Sequence, residues 1–125
     1  EQIKDYSALA HDLGLEVLLE IHGEDELDKV IPGIQIVGVN NRNLKNMEVS
    51  LKTSFDLVKQ LPADVIKVSE SGISKAEEVT ELREAGFSGF LMGEFFMRHS
   101  RPELVCANFI KEIKQVNKQL AAHEA

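Results

Sequence analysis

A chain of 125 residues, 43% of them hydrophobic, can bury one core, which excludes a disordered tail or linker and points to a single domain over 1–125. The net charge of -7, from 21 acidic against 14 basic residues, excludes the electrostatic footprint of a nucleic-acid binder and favours a small-molecule ligand. No apolar run approaches the ~20 residues that cross a bilayer, and Glu1-Gln2-Ile3-Lys4-Asp5 does not resemble a signal peptide, so a cytoplasmic chain without a membrane partner is expected.

Apolar residues at Ile3, Tyr6, Leu9, Ala10 and Leu13 form a helical stripe that stops at Gly14. The run Leu15 to Ile21 follows, with the pattern of a parallel strand buried on both faces. A short helix is expected from Glu24 to Ile31, broken by Pro32-Gly33, and a second strand from Ile34 to Val39. Ser50 is placed to cap a helix carrying Leu51, Phe55, Val58 and Leu61, closed by Pro62. Val65 to Val68 is the third strand, and Ser74-Lys75-Ala76-Glu77 reads as a capping box for a helix that turns Ala76, Val79 and Leu82 inward and ends at Gly86. Phe90 to Met92 is the fourth strand, with a helical turn expected at Phe95-Phe96-Met97. Ser100-Arg101-Pro102-Glu103 reads as a second capping box, opening a long helix with Val105, Phe109, Ile113, Val116 and Leu120 on one stripe and a tail expected to fray after Ala121. Cys106, the one cysteine, falls on this helix as a small hydrophobe.

Strands alternating with helices imply an α/β fold with a parallel sheet and right-handed crossovers. Four βα units are half of a TIM (β/α)8 barrel, and 125 residues are about half of the ~250 that such a barrel takes. An open flavodoxin-like sheet is the alternative, because periodicity does not separate an open sheet from a closed one. In both, the ligand lies beyond the carboxyl ends of the strands. Those ends carry Glu20 and His22, then Asn40 and Arg42, then Glu70, Ser71 and Gly72, then Gly93 and Glu94. A carboxylate at Glu20, after Leu18-Leu19, must find partners or titrate abnormally, which suits a proton acceptor; His22 reads as a solvated loop histidine. Asn40 and Arg42 lie two apart, on one face of an extended segment, and together can hold a hydroxyl and a carboxylate. Ser71-Gly72 before a capped helix, and Gly93-Glu94 before a short one, are glycine turns from which backbone N–H groups can cradle a phosphate.

Four ordered stretches, Glu16 to His22, Gly38 to Leu44, Val68 to Ile73 and Leu91 to Glu94, resemble the motifs at barrel strands five to eight of the indole-3-glycerol phosphate synthase family. The resemblance implies decarboxylating ring closure of 1-(2-carboxyphenylamino)-1-deoxyribulose 5-phosphate in tryptophan biosynthesis, with no metal or organic cofactor. It implies a catalytic set of Glu20 for proton transfer, Asn40 as hydrogen-bond partner of the substrate and Glu70 against the sugar-chain hydroxyls. It implies substrate binding by Arg42 at the anthranilate carboxylate, and by Ser71, Gly72, Gly93 and the backbone of Glu94 at the phosphate.

The family's general-acid lysine, a second active-site lysine and another glutamate belong to strands one to three, which this sequence does not supply. The chain alone is therefore expected to be nearly inactive, and to seek an N-terminal half-barrel or a second copy of itself to cover its open edges. Two other functions compete. One is a non-catalytic phosphate-binding half-barrel module; the other is a different phosphosugar barrel enzyme, such as a phosphoribosylanthranilate isomerase or a tryptophan synthase α-type lyase, against which Glu20 with the Asn40 and Arg42 pair argues.

Overall fold

A computed structural model describes residues 1–124. The helix α1 (Gln2–Asp12) ends where Gly14 takes a φ of +76° and lets the Leu15 N–H reach back to the Ala10 carbonyl at 2.8 Å. Strand β1 (Leu18–Ile21), a 3-10 helix (Glu24–Lys29), β2 (Ile36–Asn40), α2 (Lys52–Val58), β3 (Ile66–Glu70), α3 (Ala76–Ala85), β4 (Gly89–Leu91), α4 (Glu94–Met97) and α5 (Pro102–Glu124) follow. The strands form one sheet in the order β1-β2-β3-β4, every neighbouring pair parallel, so the fold is α/β and the sheet is open, as in half of a barrel.

Register divides the side chains into two faces. Leu18, Ile36 and Ile66 form one cross-strand row, Glu20, Gly38, Val68 and Gly89 the next, and Asn40, Glu70 and Leu91 the last. The alternate residues Ile21, Val37, Val39 and Ser69 point the other way and are fully buried with Leu57 and Leu82. On the first face Leu18 is 44% exposed, Ile66 51% and Leu91 59%. The expectation that the first strand is buried on both sides is thus corrected: helices cover one face of the sheet and leave the other open. The apolar stripe of α1 is likewise uncovered at Tyr6 and Leu9.

Several boundaries differ from those expected. Pairing with β2 starts at Leu18, so Leu15 to Val17 stay outside the strand. Strand β3 runs on through Ser69 and Glu70, because Asn40 pairs with Glu70 and the Asn41 N–H continues the ladder to the Glu70 carbonyl at 2.8 Å. Strand β4 begins one residue early, at Gly89 opposite Val68, and the segment after Glu24 is a 3-10 helix ending at Lys29. The cap of α3 is carried by Glu78, not Glu77: Glu78 Oε1 accepts from the N–H groups of Ser74 at 3.0 Å and Lys75 at 2.9 Å. The box expected at Ser100 does not form, since Glu103 accepts from the Arg101 guanidinium at 2.7 Å and the helix starts at Pro102. Instead of fraying after Ala121, α5 continues to Glu124.

Helix α5 packs over α3 and α4. Its Phe109 is buried within 5.5 Å of the Phe95 ring and 5.7 Å of the Phe96 ring, centroid to centroid, so α4 and the turn at Gly93 are fastened to the core. Among the described residues no helix is long and apolar enough to cross a membrane.

Candidate active site

The parallel sheet sends all four carboxyl ends to the same side, and the chain there encloses a pocket of about 360 Å³. Glu20, Asn40, Arg42, Glu70, Ser71, Gly72, Gly93 and Glu94 all line it, so every site residue expected from the sequence is brought to one place.

Glu70 is the most unusual group. It is 2% exposed, its Oε1 has no hydrogen-bond partner, and it lies over Gly38, where any side chain would collide with its carboxyl. Burial, followed by the hydrogen bond and the charge of the neighbouring Glu20, pushes its pKa up to about 8. The two neighbouring carboxyls therefore resist carrying charge together, which favours the protonated form of Glu70. Gly38 was not anticipated as a site residue; the only sequence signal is a glycine inside a strand, which marks a close approach by another group.

Asn40 is oriented from three sides. Its Oδ1 accepts from the Arg42 N–H at 2.9 Å and from Ser71 Oγ at 2.9 Å, while its Nδ2 faces His22 Nε2 at 3.4 Å. Ser71 holds a φ of 73°, a costly conformation for a residue with a Cβ, and its hydroxyl bond to Asn40 helps to keep it there. Gly72 follows at φ +80°, with Val49 filling the space that a side chain would need. Gly72 and Gly93 are both exposed, but they differ in surroundings: Val49 stands where a Gly72 Cβ would lie, whereas an added Cβ at Gly93 would meet nothing within 4 Å.

Two electrostatic details depart from expectation. The N–H groups of Ser74 and Lys75 at the start of α3 are already donated to Glu78, so two donors at this helix entry are taken by its own side chain before any anion arrives. Arg42 reaches across to Glu94, Nη2 to Oε2 at 2.8 Å, and also donates to the Met47 carbonyl at 3.3 Å. The Glu94 side chain thus occupies the guanidinium expected to hold a substrate carboxylate. That side chain is 74% exposed, so the pair costs little to open.

Next to Asn40, Asn41 points to the opposite side of the chain and is buried. It donates to Ser69 Oγ at 3.1 Å and to the Ser71 carbonyl at 3.0 Å, and its Oδ1 accepts from Ser54 N–H at 3.1 Å and Ser54 Oγ at 2.7 Å. This network fastens the loop bearing Arg42 to α2 and to the end of β3. The doubled asparagine in the sequence was its only signal. Among the described residues no group of three or more His, Cys, Asp or Glu is arranged to hold a metal ion.

A parallel α/β half-barrel with acids, an amide, a guanidinium and two glycine turns at its strand ends belongs to the class of α/β barrel folds, with its pocket at the carboxyl ends of the strands. Residues 1–114 match the family profile of indole-3-glycerol phosphate synthase, and the chain belongs to that family. It is 48% identical over 114 residues to the indole-3-glycerol phosphate synthase of Bacteroides thetaiotaomicron, covering 91% of this chain and 44% of that relative. Over 111 residues it is 47% identical to the Variovorax paradoxus enzyme of the same name, covering 88% of this chain and 42% of the relative. The chain therefore spans less than half the length of the curated relatives it matches.

Proposed function

We propose that these residues form the C-terminal half of an indole-3-glycerol phosphate synthase of the cytoplasm, which closes 1-(2-carboxyphenylamino)-1-deoxyribulose 5-phosphate to an indole with loss of carbon dioxide and water. The observation that carries the reading is the convergence of Glu20, Asn40, Arg42, Glu70 and the two glycine turns on one pocket, in a chain of this family. In this assignment Glu20 is the base that moves protons during ring closure and dehydration. Protonated Glu70 offers a donor to the sugar-chain hydroxyls, and Asn40, held rigid by Arg42 and Ser71, offers its Nδ2 to the substrate. Arg42 exchanges Glu94 for the anthranilate carboxylate, while Ser71, Gly72, Gly93 and the Glu94 N–H take the phosphate.

Charge supports a partner half-barrel at this pocket. The pocket holds three carboxyl side chains, Glu20, Glu70 and Glu94, and one guanidinium, Arg42. A substrate bearing a phosphate and a carboxylate needs more positive charge than that, and its carbonyl needs a proton donor at neutral pH. The lysines implied by the family resemblance would meet both needs from the other half-barrel, whose apolar lining would also cover Leu18, Ile66 and Leu91. A second copy of this chain could cover the same surface but would not bring those lysines.

The test is ring closure by the chain alone, by a separately produced N-terminal half, and by the two mixed. Turnover is expected only in the mixture, where Glu20→Gln should lower it about 10²- to 10⁴-fold, the usual worth of a direct acid–base group. Robust turnover by the chain alone, or none in the mixture, overturns the assignment.

A further inference from the structure

His22 lies just past the tip of β1, where a loop histidine would ordinarily turn to solvent, yet three contacts hold its ring. Nδ1 is 3.1 Å from Glu26 Oε1, and the same oxygen accepts the His22 backbone N–H at 2.8 Å. The other oxygen of Glu26 is held by Lys29. On the far edge of the ring, Nε2 stands 3.1 Å from Glu20 Oε2 and 3.4 Å from Asn40 Nδ2.

These contacts order the two nitrogens. The Glu26 carboxylate can only accept, so Nδ1 carries a proton and donates it there. In the neutral ring Nε2 then presents a lone pair toward Asn40, across a long 3.4 Å contact that is easily given up. Its 3.1 Å approach to Glu20 Oε2 is favourable only with a proton between the two atoms, the state reached once Glu20 has taken one. If Nε2 gains a proton it donates to Glu20, and both ring nitrogens then face carboxylate oxygens. The charged and titratable groups around the ring are Glu20 and Glu26 directly, with Glu70 behind Glu20 and Lys29 behind Glu26.

We infer that His22 is a positioning residue for Glu20 and stores the proton that Glu20 removes from the substrate, an assignment that rests on the ring-closure function proposed above. When Glu20 has taken that proton, the proton passes from Glu20 Oε2 to His22 Nε2. This leaves Glu20 a carboxylate and His22 an imidazolium bridging Glu20 and Glu26. The proton returns through Glu20 to the hydroxyl that departs as water, so the exchange closes without another reactant. Glu26 fixes the tautomer, and Asn40 marks the ring's resting position.

The experiment uses the enzyme assembled from both barrel halves. His22→Gln is expected to lower kcat about 10-fold with KM unchanged, less than the loss of a direct acid–base group, and to change the shape of the kcat–pH profile. Glu26→Gln, which keeps the ring and loses the charged anchor, should change the same profile with a smaller loss in kcat. Unchanged kcat and pH profile in His22→Gln, or a loss confined to KM, overturns the proposal. Ring nitrogen NMR on the 125-residue chain provides a readout independent of turnover: Glu20→Gln should move the Nε2 resonance and Glu26→Gln the Nδ1 resonance. If neither moves, the His22 linkage fails even in an active enzyme, whereas shifts in the chain beside a silent wild-type assembly refute the ring-closure reading instead.

Discussion

The two faces of the sheet are built from alternating residues of the same strands and do opposite work. On the helix-covered face, Ile21, Val37 and Val39 are sealed against Leu57 and Leu82, and the fully buried hydroxyls of Ser54 and Ser69 are tied to Asn41. On the open face stand Glu20, Asn40 and Glu70 among apolar side chains that nothing in this chain covers. A period of two residues is enough to separate a layer that holds the fold together from a layer that handles ligand. The contrast teaches that burial alone does not mark structural importance: Glu70 is as hidden as Leu57 and stays poorly satisfied.

The contrast is broken most forcefully from the covered side. Leu82→Ala, at a site with 0% exposure, should cost about 2–5 kcal/mol of stability in urea unfolding of the chain. A smaller effect comes from Glu70. Its folded pKa of about 8 lies above the ordinary 4.5, so between those values the native state holds a proton that the unfolded state has released. Its contribution is fully present below about pH 4.5 and falls away as pH rises to about 8, in a titration shared with Glu20. Glu70→Gln should flatten that part of the pH–stability curve, and an unaltered slope would show that Glu70 does not hold the proton. The smallest effect is expected on the open face, where Ile66→Ala should change the chain's stability by no more than about 0.5 kcal/mol in the same unfolding measurement, because its side chain is already half in solvent. A loss as large as that of Leu82→Ala would mean that the open face is covered in solution.

The sequence made the parallel α/β order and eight of the twelve residues that line the pocket legible, because strand runs, glycine turns and polar strand ends are local signals. What it hid depends on distant partners. The exposure of Leu18 and Ile66 follows from the absence of facing strands, and periodicity reads a strand with an uncovered face as if both faces were filled. Glu78 outcompetes Glu77 at the start of α3 because the helix begins one residue later than the Ser74 motif suggests. Arg42 finds Glu94 across 52 residues, a pairing no local spacing announces. The roles of Asn40 and Asn41 separate only when alternation sends one to the pocket and the other to the core.

Asn41 has a consequence for ligand capture. A loop that must be frozen when a ligand arrives subtracts its lost freedom from the binding energy, about 0.5–1.5 kcal/mol for each long side chain immobilised. Here four hydrogen bonds from one buried amide have already clamped the backbone beside Arg42 before any ligand appears. The guanidinium is delivered pre-organised, so this edge of the pocket should recognise its anion by exchange of partners, with hardly any movement of the main chain.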